Sequence, residues 1–178
     1  GRSCRGVRRL RVTVGGGVRM RGTCGGAGVG GVEEGLGGGP GTVTWPQGAG
    51  RSEVGFAGGR GAGGDPVGGT AVQGAVEAFE GDKATRGGML LGEIGGSAEQ
   101  DAAQWASEHM TKPVVAYIAG FTAPEGRQMG HAGAIVSGGK GTAKDKKQAL
   151  EAAGIPVGAT PAQAALLMRD ALDQVLGA

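Results

Sequence analysis

His131 lies in Met129-Gly130-His131-Ala132-Gly133-Ala134, with a glycine before it and another two residues after. Glycines so placed let backbone N–H groups approach a ligand closely and leave the imidazole uncovered. An imidazole in such a loop can act as a nucleophile, accepting a phosphoryl group and passing it on. That role needs a carboxylate on the opposite ring nitrogen, to fix the tautomer and stabilise the developing positive charge. Glu93, in Gly92-Glu93-Ile94-Gly95-Gly96, is the candidate. Ser137-Gly138-Gly139-Lys140-Gly141-Thr142 leads into a helix N-terminus, a natural place for phosphate, although its spacing is not that of a Walker A loop. Residue chemistry alone leaves both a nucleophilic and a structural role open for His131.

The remaining chemistry-bearing residues read more plainly. His109 falls in the last turn of a helix, where it complements the dipole. Met129 reads as loop packing and Met168 as core, and Lys144, Lys146 and Lys147 as a solvated helix face. Cys4 and Cys24 are too few for a zinc site and poor grounds for a disulfide, so a reducing compartment is expected and no metal site is read.

The elements that must position Glu93 and His131 begin near residue 70. Thr70–Glu80 reads as a helix with Ala71, Val72, Ala75, Val76 and Phe79 on one side. Met89-Leu90-Leu91 is a buried strand ending in the turn that holds Glu93. Ser97 caps the next helix, with Gln100 at the capping-box position and Ala98, Ala102, Trp105 and Ala106 as its buried stripe. Pro113–Ala119 has the unbroken apolar run of a parallel strand covered on both faces. After a long loop, Gly120 to Gly141, Thr142 caps a helix that Gly154 ends, and Ile155–Ala159 is a short strand. Thr160 caps the last helix with Pro161 at its first position, and Ala165, Met168, Leu172 and Val175 share its inner face. Strands alternating with helices indicate an α/β fold with a doubly wound parallel sheet. Such sheets bind ligands at the carboxyl ends of their strands, so Glu93 and His131 project from one rim.

The first third differs in kind. Residues 1–69 hold 26 of the 43 glycines, and residues 1–40 carry seven Arg against two Glu. Ordering so glycine-rich a backbone is costly, and neither helical nor strand periodicity is read in residues 1–39, so the first 40–60 residues are expected to be irregular or disordered. A basic Gly/Arg tail can neutralise phosphates of RNA, but its arginines are not interleaved with the aromatic residues that stacking needs. No apolar run approaches the roughly 18–20 residues of a membrane span, and no secretory signal is legible.

At this point the motifs carry a resemblance. Gly92-Glu-Ile-Gly-Gly-Ser-Ala-Glu99, Thr111-Lys-Pro-Val-Val-Ala-Tyr-Ile-Ala-Gly120, Met129-Gly-His-Ala-Gly-Ala134, Gly138-Gly-Lys-Gly-Thr142 and Leu150-Glu-Ala-Ala-Gly154 resemble the alpha subunit of succinate–CoA ligase. The likeness runs from about residue 63 to the end and corresponds to that family's flavodoxin-like ligase domain. It implies an acid–thiol ligase, of which this chain is one subunit, that interconverts succinyl-CoA, phosphate and a nucleoside diphosphate with succinate, CoA and the triphosphate. His131 matches the phosphorylated histidine and Glu93 the glutamate that supports it, with Gly130 and Gly133 beside the phosphate. The resemblance also implies CoA, ATP or GTP with Mg²⁺, and a beta subunit as partner, in bacterial cytoplasm or mitochondrial matrix. The motif Gly130-His-Ala-Gly-Ala134 is shared with ATP-citrate lyase, so that lyase or another acyl-CoA synthetase domain stands as an alternative, as does a non-catalytic α/β fragment with an RNA-binding tail.

Two departures stand out. Nothing here resembles the family's CoA-binding Rossmann domain. Pro40-Gly41-Thr42-Val43-Thr44-Trp45 echoes the family's phosphate-binding turn only faintly, giving Gly41 and Thr42 as weak phosphate contacts, and Pro46, Gly48 and Gly50 would break the helix that should follow. Residues 61–178 are thus expected to form the ligase domain. Residues 1–60 are expected not to be native family sequence, as a shifted reading frame in a GC-rich gene would give.

Overall fold

The computed structural model describes residues 71–83, 85–129, 133–136 and 141–175 with their side chains, and residues 8–15, 18–21, 33–34, 41–44, 54–62 and 176 as backbone. Five strands come first: β1 (Arg8–Gly15), β2 (Val18–Arg21), β3 (Glu33–Glu34), β4 (Gly41–Thr44) and β5 (Val54–Ala62). Then helices and strands alternate as α1 (Val72–Gly81), β6 (Gly87–Gly92), α2 (Ala98–His109), β7 (Val114–Ile118), α3 (Ala143–Ala152), β8 (Val157–Gly158) and α4 (Pro161–Leu176).

The main sheet has the order β3-β5-β1-β6-β7-β8, and each neighbouring pair is parallel. Without the two-residue edge strand β3, the order is second, first, third, fourth, fifth along the chain, the flavodoxin-like winding. Alternate residues of β6 and β7 serve opposite faces. Leu90, Ala116 and Ile118 pack with Val72 and Val76 of α1, Ala102 and Ala106 of α2, and Leu150 of α3. Met89, Leu91 and Val115 pack with Ala164, Met168 and Leu172 of α4. The sheet is covered on both sides, which is why β6 and β7 carry apolar runs without polar alternation.

The punctuation residues act as their types dictate. Thr142 Oγ1 accepts the Asp145 N–H at 3.0 Å, and Thr160 Oγ1 accepts the Gln163 N–H at 3.1 Å, each satisfying one orphan donor of a first turn. Gly154 ends α3 at a φ of 78°. The carboxyl end of α1 is held from outside: the Lys112 ammonium donates to the carbonyls of Phe79, Glu80 and Asp82 at 2.6–2.8 Å. Burial raises the Glu80 carboxyl pKa, but bonds from Thr111 and the nearby Lys112 charge outweigh it and hold the group below its ordinary value.

Several expectations need correcting. An irregular first 60 residues is not what the described stretches show: β1 lies at the centre of the sheet, with Val12 opposite Gly59 on one side and Met89 on the other. The physical reason is legible in retrospect. Leu10, Val12 and Val14 alternate with Arg9, Arg11 and Thr13, the period of a strand, and pairing on both edges offsets the cost of the surrounding glycines. β1 and β5 occupy the positions that the flavodoxin-like order requires.

In α4 the inner line is Ala164, Met168 and Leu172, while Ala165 is half-buried and Val175 is 53% exposed. A 16-residue helix is about 24 Å long, whereas five or six strand residues span about 17–20 Å, so its last turn overhangs the sheet. Ala71 and Ala98 are exposed and Trp105 is half-buried. Ser97 does precede α2, but it makes no side-chain cap bond; its backbone is outside the extended region and its hydroxyl donates to Asp101 at 3.3 Å instead.

Candidate functional site

In this winding the switch point falls between β1 and β6, because the crossovers from these strands leave in opposite directions. The crevice outside their carboxyl ends is where such sheets take ligands. Glu93 follows β6 directly and is half-buried. The pairing of β6 with β7 extends one step further, the Ala119 N–H donating to Gly92 O at 2.8 Å, so the loops after both strands start from one edge.

The loop after β7 folds back on itself. The Gly126 N–H donates to Val136 O at 3.0 Å and the Met129 N–H to Ala134 O at 2.8 Å, while buried Ala134 and Val136 share a core cluster with Ile94. Gly133 and Gly141 are carried against the Glu93 loop. The Gly95 N–H donates to Gly141 O at 2.8 Å. A Cβ on Gly95 would lie 1.9 Å from Gly133 O, and the residue has a φ of 94°, so only glycine is accommodated there.

Beneath this contact lies a buried ion pair. Lys146 of α3 is fully buried, and its ammonium donates at 2.5 Å both to Gly95 O and to Glu99 Oε2. Glu99 of α2 is 4% exposed, and its other carboxylate oxygen accepts the Glu93 N–H at 3.3 Å. The expected solvated face is therefore corrected for Lys146, while Lys144 is exposed and Lys147 half-buried. The periodicity held the missed signal. Ala143, Lys146 and Leu150 fall on one helical line, as do Glu99, Ala102, Ala103 and Ala106, so two opposite charges sit on buried stripes.

The other expected residues fall as follows. His131 and Gly130 lie outside the described residues, as do Ser137–Lys140, Cys4 and Cys24. Gly133 is an exposed turn residue. Gly41 and Thr42 lie in β4, paired parallel to β2 in a second sheet, and this extended backbone forms no helix N-terminus for an anion. His109 ends α2, exposed, stacked on Trp105 at 4.8 Å with Nδ1 2.9 Å from the Trp105 carbonyl. Met168 is core, but Met129 is 42% exposed. An apolar crevice lined by Val76, Phe79, Met89, Met110 and Val114 lies by the amino ends of β6 and β7, at the opposite end from Glu93. Among the described residues no group of three His, Cys, Asp or Glu is placed to hold a metal ion, and no helix is long and apolar enough to cross a membrane.

Comparison with known proteins adds to this geometry. A family model described as CoA-ligase matches residues 57–155, more than half of the chain. The chain is 52% identical over 103 residues to the ADP-forming succinate–CoA ligase subunit alpha of Staphylococcus aureus strain Mu50, covering 58% of this chain and 34% of that one. It is 50% identical over 111 residues to the same subunit of Staphylococcus epidermidis strain RP62A, covering 62% and 37%. The chain thus spans about a third of the length of these curated relatives. Among solved structures, ATP citrate lyase from Methanothrix soehngenii in complex with citrate and coenzyme A superimposes with a TM-score of 0.60 at 32% identity, over 65% of this chain and 19% of that one. The motifs around Glu93, the flavodoxin-like order that carries them and the extent of the family match agree: the chain belongs to the CoA-ligase family.

Proposed function

We propose that this chain carries the phosphohistidine step of a succinate–CoA ligase alpha subunit. One observation supports it above the others: the carboxyl-terminal side of the Gly130-His-Ala-Gly133 loop is fixed against the Glu93 loop, with the Gly133 carbonyl in the space that a Gly95 side chain would fill. His131 stands two residues before Gly133 in the sequence, which supports a reading in which Glu93 and His131 act together.

In this reading an imidazole nitrogen of His131 attacks the phosphorus of succinyl phosphate. The N–P bond forms as the P–O bond to the succinyl carboxylate breaks, and succinate leaves. Glu93 accepts the N–H of the other ring nitrogen, holding the tautomer and balancing the charge that develops. Backbone N–H groups around Gly130 and Gly133 receive the phosphoryl oxygens. A terminal oxygen of a nucleoside diphosphate then attacks phosphorus, and the N–P bond breaks. Gly41 and Thr42, in the extended backbone of β4, remain a sequence echo of the family's phosphate-binding turn.

CoA, ATP or GTP with Mg²⁺, and a beta subunit complete the reaction in this reading, in bacterial cytoplasm or mitochondrial matrix. The described residues do not fit a Mg²⁺ site of their own, since no three His, Cys, Asp or Glu among them are placed together. Residues 61–178 form the ligase domain. The family model begins at residue 57, so β1 and the first residues of β5 precede the match while the rest of β5 lies within it. Identity of 52% to the ligase subunits against 32% to the lyase favours the ligase reading, and a β1 seated at the centre of the sheet weighs against a free RNA-binding tail.

The test is phosphorylation of the full chain, mixed with a beta subunit, Mg²⁺ and labelled nucleoside triphosphate. Acid-labile, base-stable label that vanishes in His131→Ala is expected. No label, with a complete alpha subunit labelling in parallel, would sink the proposal for this chain.

A further inference from the structure

Buried ion pairs are poor stabilisers. Well-packed apolar residues in their place are often neutral or better, because desolvating two charges costs as much as their attraction returns. Lys146 and Glu99 are the buried charged side chains among the described residues. What the pair touches suggests why it is there. Among the described residues, its polar contacts outside the pair itself go to the backbone of one short segment: Lys146 to Gly95 O, and Glu99 to the Glu93 N–H. A Cβ on Gly92 would meet Glu99 Oε1 at 2.6 Å, so the backbone lies directly on the carboxylate. The pair therefore grips the chain on both sides of Ile94, from two different helices.

The same grip reaches the second rim loop. Thr142 opens α3, Lys146 lies one turn in, and Gly141 immediately before it accepts the Gly95 N–H. Gly95 is thus tied by its carbonyl to α3 and by its N–H to the residue that leads into α3. Moving either loop relative to the other would break one of these bonds.

We propose that Lys146 and Glu99 are positioning residues: their ion pair sets the register of the Glu93 loop against the loop that carries His131. The inference rests on the reading that Glu93 supports a phosphorylated His131. Neither residue touches the reacting atoms; they act through the Glu93 backbone. Charge-assisted bonds suit the task because they are short and directional, whereas an apolar contact would let the loop slide.

The experiment measures the rate of His131 labelling from nucleoside triphosphate, with beta subunit, in the full chain. The charge-free pair Lys146→Met/Glu99→Leu keeps volume and should unfold at or above the wild-type temperature, yet label at least tenfold more slowly. Combined with Glu93→Gln, it should add little further loss, because misplacing Glu93 and removing its charge abolish the same support of His131. A charge-free pair that folds and labels at the wild-type rate, beside a slow Glu93→Gln, would overturn the positioning role and leave the phosphohistidine reading intact. A Glu93→Gln chain that labels normally would sink the reading itself. Should the charge-free pair fail to fold, Glu99→Gln decides: its amide oxygen can serve Lys146 or the Glu93 N–H but not both. Faster amide exchange over residues 92–97 together with slower labelling is expected, and unchanged exchange and rate would refute the proposal.

Discussion

β1 and β6 lie side by side in the sheet and come from opposite kinds of sequence. β6 reads Gly87-Gly88-Met89-Leu90-Leu91-Gly92, is buried throughout, and is held by side chains packed on both faces. β1 reads Arg8-Arg9-Leu10-Arg11-Val12-Thr13-Val14-Gly15 and is paired along both edges, to β5 and to β6. A central strand can therefore be specified by apolar packing or by a short alternating run that finds two partners. The chemistry follows the first kind. Glu93 is delivered by β6, and the loop that holds it is fixed by Glu99 of α2 and Lys146 of α3.

The sharpest way to break this comparison is to remove a ladder bond from β1. Val12→Pro takes away a backbone N–H in the middle of a doubly paired strand and should cost about 3 kcal/mol or more, the scale of a proline inside a regular element. Thermal unfolding of the full chain would show it as a large fall in midpoint. An unchanged midpoint would mean that residues 71–175 stand without β1. A smaller effect sharpens the other side. Thr160→Ala removes the acceptor for the Gln163 N–H and should cost about 1 kcal/mol, since α4 is anchored by Met168 and Leu172 whether or not its cap is intact.

What could be read from the sequence follows from this contrast. Thr142, Thr160 and Gly154 announced their helix ends because caps and C′ glycines act locally. β7 announced itself because a parallel strand covered on both faces must be apolar. β1 did not, because glycine and arginine content dominates any average over residues 1–40 and hides the alternation of Leu10, Val12 and Val14. Lys146 was misread for a related reason. A lysine among lysines reads as solvated, and only its place between Ala143 and Leu150 on one helical line shows that it faces inward. Position relative to the buried stripe carries more information than residue type.

Glu93 was legible as a rim residue because it follows a buried strand, but the bond between Glu99 and its backbone was not, since six residues and a helix start separate them. Long-range polar contacts of this sort leave no local pattern. The contact of Gly95 with Gly133 is similar: the glycines mark a close approach without saying to what.

The central claim is that Glu93 and His131 work as one unit, and the most direct measurement is the rate of His131 phosphorylation in Glu93→Gln beside wild type and His131→Ala. The amide keeps the shape of Glu93 and removes the charge that balances the imidazolium, so the rate should fall about 100-fold, in the range that a positioned acid–base partner contributes. His131→Ala should take no label at all. A Glu93→Gln chain that labels at the wild-type rate, with label still lost in His131→Ala, would contradict the account and leave Glu93 a structural residue of the rim.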